Sequence, residues 1–184
     1  MRTTLIRLLF ACALSASAVT AQDVPSDAAP SIVRLVPSAF PDAPPLAVRI
    51  MEQHGCSVPQ YATRGEPGNV VFGDLDGDER DSDFAWLCSR ADSTQLLAYT
   101  TDGGLEKLTE REPDDDFWMG GFSRSLWLLD TEMAERYNER KRVDFGREIP
   151  VVTHGTLTLT DMGNRGRYFY FLRGTGWLEW EAIH

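Results

Sequence analysis

Lysine, histidine and cysteine are all scarce in this 184-residue chain. Its 18 basic residues include only two lysines, and there are three histidines and three cysteines. Against 28 acidic residues the net charge is −10, which argues against nucleic acid or anionic lipid as a partner, since both require basic patches. Several catalytic signatures are also missing. There is no Gly-x-Ser-x-Gly elbow, no His-Glu-x-x-His and no Gly-x-x-x-x-Gly-Lys, which removes the commonest local marks of α/β-hydrolases, zincins and P-loop enzymes. Beyond the first 21 residues no apolar run is long enough to span a bilayer.

Those first 21 residues read as an export signal. Arg2 and Arg7 precede an apolar or small-residue stretch from Leu5 to Val19, and Val19-Thr20-Ala21 supplies small residues before a cut. A lipoprotein cut before Cys12 is the rival reading, with Phe10 poorly suited to such a site. Cleavage after Ala21 leaves Gln22 to His184, delivered to the periplasm or beyond, with a net charge nearer −10 − 2 = −12. Its two cysteines, Cys56 and Cys88, are most simply one disulfide in an exported chain. A structural zinc site would need more ligands than two sulfurs and scattered histidines.

The densest stretch runs from Val70 to Ser89. Val70, Val71 and Phe72 meet Gly73, an acidic loop follows, and a second apolar run extends from Phe84 to Cys88. Asp74, Asp76 and Asp78 alternate, so a curling loop aims three carboxylates at one point, and Gly77 allows the curl. Clustered carboxylates repel unless a cation or water intervenes, and hard oxygen ligands suit calcium, with Asp81 or Asp83 as a further donor. The same residues also make a solvated acidic turn that needs no ion. In the second run Phe84, Trp86 and Cys88 share one face and Ala85 and Leu87 the other. Both faces are apolar, which predicts an interior strand.

Phe72-Gly73-Asp74-Leu75-Asp76-Gly77-Asp78, followed by Asp83-Phe84-Ala85-Trp86-Leu87, resembles one FG-GAP/VCBS-like repeat of secreted and cell-surface β-proteins. That resemblance implies a strand–loop–strand unit whose aspartates bind calcium. In the family a Gly follows the third Asp and a last Asp holds the ninth loop position; here Glu79 and Ser82 stand there, and Asp83 comes one residue late. As a whole the chain resembles a group of uncharacterised exported bacterial proteins. The shared marks are Cys56-Ser-Val-Pro-Gln60, Asp83-Phe-Ala-Trp-Leu-Cys-Ser89, a lone His before an aromatic strand, and Gly176-Trp177.

The organisation follows from these pieces. Residues 1–21 form the signal and 22–43 a Pro-rich leader in which Ile32 to Val36 is a candidate edge strand; 44–184 form one mainly-β domain of α+β class, with antiparallel sheets and two short helices. Asp42 is placed as N-cap of the first helix and Gly55 as its stop. Thr94 to Thr101, turned by Asp102-Gly103-Gly104, leads into Leu105 to Thr109 as a hairpin. These strands complete one blade-like sheet. Asp130 is placed as cap of a second helix to Arg142, with Met133 and Tyr137 as its apolar contact. A meander of Val151–Thr160, Gly166–Arg173 and Trp177–Ile183 closes the chain, with His154 and the threonines on an exposed face.

These features favour an exported binding or interaction module for a protein or carbohydrate partner, with calcium as the candidate cofactor. Trp118 is a candidate surface for stacking on sugar. The alternatives are a small secreted hydrolase, directed at carbohydrate or ester, and an acidic inhibitor of a basic enzyme. A hydrolase would draw on Ser57 or Ser89 with one of the histidines, or on Asp114-Asp115-Asp116.

Overall fold

A computed structural model describes residues 32–61, 67–111, 128–144, 151–160 and 165–183. Residues 1–21, read from the sequence as an export signal, lie outside the described residues, as do Asp114 to Asp116 and Trp118. Among the described residues ten strands pair in three antiparallel sheets. A ribbon joins β1 (Ile32–Leu35) to β2 (Val58–Tyr61). The first four-stranded sheet is a meander of β3 (Val70–Gly73), β4 (Asp83–Ser89), β5 (Thr94–Thr100) and β6 (Gly104–Arg111). The second, also in chain order, comprises β7 (Leu128–Glu132), β8 (Thr156–Thr160), β9 (Arg165–Leu172) and β10 (Gly176–Ile183). Two α-helices, α1 (Pro45–Gln53) and α2 (Ala134–Asp144), and a short 3-10 helix, Pro37–Ala39, complete the described part of the fold. The chain is thus mainly β, as its alternating patterns predict.

The layering follows from strand periodicity. All seven residues of β4 are buried. Phe84, Trp86 and Cys88 pack with Phe40, Met51, Cys56 and Val58 under α1 and the ribbon, whereas Ala85 and Leu87 pack with Leu157, Leu159 and Phe169 of the second sheet. Only a strand with sheet on one side and helix on the other buries both faces, so the β3–β6 sheet is an interior layer. β9 repeats the arrangement one layer out. Phe169 faces the shared core, while Tyr168 and Tyr170 join Tyr137 and Val152 beneath α2. The order of layers is therefore α1 with the ribbon, first sheet, second sheet, α2. One buried side chain, Asn69, stitches three of these elements: its Oδ1 accepts from Leu129 N (3.0 Å) and its Nδ2 donates to Pro59 O (2.6 Å).

Several local expectations are corrected. Asp42 does not cap α1; Pro44 is the N-cap, with Pro45 in the first turn, where a missing N–H costs nothing. Gly55, at φ +62°, does end the helix. Asp130 is not a helix cap either. It lies inside β7, whose residues Leu128 to Glu132 pair with Thr160 to Thr156, and ladder bonding to a distant strand overrides the local acidic-to-basic order. Met133 stays exposed and only Tyr137 is buried. The threonine face of β8 is not open to solvent: α2 lies over it, Thr156 is fully buried and His154 is half-buried. The described part of the leader also packs inward, since Leu35 of β1 and Ala39 and Phe40 after it line the core under α1.

Candidate functional site

The turn between β3 and β4 is nailed down at its centre. Leu75, flanked by two aspartates, is buried in the core between the two sheets. Around it the backbone curls so that every N–H from Leu75 to Arg80 donates to a carboxylate of the same loop. Leu75 N and Asp76 N reach Asp83 Oδ2 at 2.9 and 3.0 Å, and Gly77 N and Asp78 N reach Asp74 Oδ1 at 2.7 and 3.1 Å. Glu79 N donates to Asp74 Oδ2 at 3.0 Å and Arg80 N to Asp78 Oδ1 at 2.8 Å. Six consecutive donors thus offset the mutual repulsion of the acids.

Two further elements grip the loop from outside. Asp83, fully buried, also accepts from Thr101 N (2.9 Å) and Thr101 Oγ1 (3.2 Å), and Asp76 Oδ2 accepts from Asp102 N (3.1 Å). The β5–β6 turn is thereby fixed to the acidic loop. From the second sheet, Arg173 in the β9–β10 turn lies 3.8 Å from Asp76 Oδ1 and 2.8 Å from Asp102 Oδ2. His154 stacks on Tyr170, with ring centroids 4.5 Å apart, and its Nε2 donates to Phe171 O at 3.0 Å. The ring's other nitrogen faces Gly77 so closely that a Cβ there would sit 2.6 Å from it. Gly77 is needed both for its φ of +75° and for this approach.

Burial pushes the Asp83 carboxyl above its ordinary 3.8, against the lowering effect of the N–H groups of Leu75 and Thr101. Asp74, Asp76 and Asp83 each offer an oxygen within 4.8 Å of the others. Two ligands of one calcium, each 2.3–2.6 Å from the ion, can be at most about 5 Å apart, so an all-oxygen set of this spacing fits that cation. Asp78 turns instead toward Arg80, 3.6 Å away, and Asp81 lies outside the group. The alternation of acids on the sequence points to Asp74, Asp76 and Asp78, with Asp83 or Asp81 as a further donor; the structure groups Asp74 and Asp76 with Asp83, while Thr101, Asp102, His154 and Arg173 carry no local signal. They reach the loop only through strand pairing and layer packing.

Glu79 holds a φ of +67°, in the region where the resembled repeat places glycine. A left-handed conformation costs a side-chain-bearing residue about 1–2 kcal/mol, of which glycine's greater unfolded-state freedom returns part. Glu79→Gly is therefore expected to raise stability by roughly 0.5–1 kcal/mol, read from the urea midpoint. A lowered midpoint would show that the glutamate side chain contributes more than its backbone costs.

No serine–histidine pair forms among the described residues. Ser57 Oγ donates to Ser89 O, Ser89 Oγ accepts from Arg34, and His54 Nδ1 faces Arg90. His154 is taken up by Phe171, Tyr170 and Gly77. Helices long and apolar enough to cross a membrane are absent among the described residues. A disulfide, Cys56–Cys88, joins the exit of α1 to β4, which is compatible with an oxidising compartment. No protein-family model matches the chain, and no match was found among curated proteins or solved structures.

Proposed function

We propose that the chain is an exported binding module whose β3–β4 loop, related to a single FG-GAP/VCBS-like repeat, is stiffened by calcium. The observation that carries this reading is the convergence of Asp74, Asp76 and Asp83 on one point at a junction of three turns. These three side chains would hold the ion. Calcium would supply charge neutralisation there and no chemistry on a substrate. Arg173 already places one positive group beside Asp76, and Asp78 is diverted to Arg80. Affinity in the range of extracellular modules, on the order of 10⁻⁴–10⁻³ M, follows from so small a ligand set. Export after cleavage near Ala21 would bring the loop into a compartment where such calcium concentrations occur, and the acidic balance favours a basic protein as partner. The experiment is a calcium-dependent melt of the mature chain with magnesium as comparison; a melting temperature indifferent to calcium overturns the reading.

A further inference from the structure

The two helices cover opposite outer faces of the stack, but they are held down very differently. α1 buries Ala47 and Met51, with Leu46 and Ile50 packed beside them in the cluster that holds Phe84 and Trp86. The chain leaving it is also tied to β4 by the Cys56–Cys88 disulfide. Among the described side chains of α2 only Tyr137 is buried, with Ala134 partly buried near it, and Glu135, Arg136 and Glu139 are exposed. Asn138 adds a pair of bonds: its Nδ2 donates to Val152 O at 2.8 Å and its Oδ1 accepts from Val152 N at 3.1 Å.

The surface beneath α2 is a poor match for a closed helix. Thr158, Tyr168 and Trp180 stand opposite one another on β8, β9 and β10, so their side chains share one face. Tyr137 comes down on this row, its ring centroid 5.9 Å from that of Tyr168 and 5.4 Å from that of Trp180. Three polar atoms of this layer, Tyr137 Oη, Thr158 Oγ1 and Trp180 Nε1, are buried without a hydrogen-bond partner. Burial, with Tyr168 and Glu132 nearby, pushes the Tyr137 hydroxyl above its ordinary 10.0, so it keeps its proton and remains a donor with no acceptor. Each such group favours a state in which water can reach it. One ring and one amide hold the helix down, and three dehydrated polar atoms oppose them.

We infer that α2 is a lid, which lifts from the second sheet as a unit while β7 to β10 stay paired. Closed and open forms then differ in whether the Thr158–Tyr168–Trp180 row meets solvent. The Tyr137 hydroxyl favours the open form, and the Tyr137 ring and Asn138 favour the closed one. The lid is independent of the calcium loop and stands if that reading fails.

Native-state hydrogen exchange on the oxidised mature chain, followed by NMR in rising sub-denaturing urea, tests this. The α2 amides from Asn138 onward should share one opening constant with the amide of Val152, whose acceptor leaves with the helix. Their protection should be at least about tenfold below that of β4 and β9 and nearly independent of urea. Tyr137→Phe keeps the ring and removes the orphan oxygen, so it should raise protection in α2 and at Val152 about fivefold or more. Protection in α2 equal to that of the sheets would overturn the proposal. So would a Tyr137→Phe protein whose α2 exchanges as fast as wild type or faster, since the hydroxyl would then be satisfied in the closed form.

Discussion

Asp83→Ala is expected to destabilise the fold by about 3–6 kcal/mol, and Asp83→Asn by roughly half as much. The reasoning rests on donors rather than on charge. Asp83 accepts from the N–H groups of Leu75, Asp76 and Thr101 and from the Thr101 hydroxyl, all in a fully buried position. Alanine leaves three N–H groups without an acceptor, each costing about 1–3 kcal/mol. Asparagine keeps one oxygen for Leu75 and Asp76 but turns an NH₂ toward the Thr101 N–H. An opposing effect must be weighed. Burial raises the Asp83 pKa, with Asp76 adding to the rise, so neutralising the group also relieves a desolvated charge. The folded chain binds that proton more tightly than the unfolded one, and this group alone therefore makes stability fall as pH climbs from 3.8 through its folded value. Asparagine abolishes that slope. The orphaned donors should still outweigh the relief at neutral pH. Chemical denaturation of the three proteins decides it: an Asp83→Asn variant as stable as wild type would mean that charge, not hydrogen bonding, governs the loop.

Loss of the Cys56–Cys88 bond comes next in size. The cysteines are 32 residues apart in sequence, and releasing such a loop in the unfolded chain costs about 3.5 kcal/mol in the chain-entropy account. Both sulfurs sit in the core under α1, where Trp86 Nε1 donates to Cys56 Sγ at 3.3 Å. The double variant Cys56→Ala/Cys88→Ala should therefore lower stability by about 3–4 kcal/mol while keeping the far-ultraviolet spectrum of the β-fold. Non-reducing peptide mapping of the exported protein should recover the two peptides linked and Gln22 as the first residue. Free thiols that label readily in the native protein, or an uncleaved Met1, would contradict the bond or the export.

How much of this was legible depends on how local each signal is. The interior position of β4 follows from two apolar faces in seven residues, and the β5–β6 hairpin follows from Asp102-Gly103-Gly104. The disulfide needs only cysteine count and compartment. Asp130 misleads because its neighbours reproduce a helix N-terminus, while the β8 ladder that claims it lies some 25 residues on. His154 misleads because alternation with threonine resembles an exposed strand face, whereas Tyr170 of β9 stacks on its ring and the turn at Gly77 closes over it. The acid cluster is legible in part: alternation gives Asp74 and Asp76 but equally Asp78, which turns to Arg80, and it does not separate Asp83 from Asp81. What holds it between the sheets is not legible, because Thr101, His154 and Arg173 come to it from three later turns.

The most direct measurement is the melting temperature of the mature, oxidised chain in 10 mM calcium against the same chain in chelator. With a dissociation constant of about 10⁻⁴–10⁻³ M, mass action on the folded state adds about 1.4–2.7 kcal/mol at that concentration. For a domain of this size that is a rise of roughly 3–10 °C. Magnesium, which demands tighter octahedral geometry, should give little of it. Asp76→Ala should lower the baseline, because Asp102 N loses its acceptor and Asp78 N one of its two, and should also abolish the calcium response. A saturating rise with calcium alone, absent in Asp76→Ala, is the predicted result; a wild-type melting temperature that is the same in calcium and in chelator would contradict it.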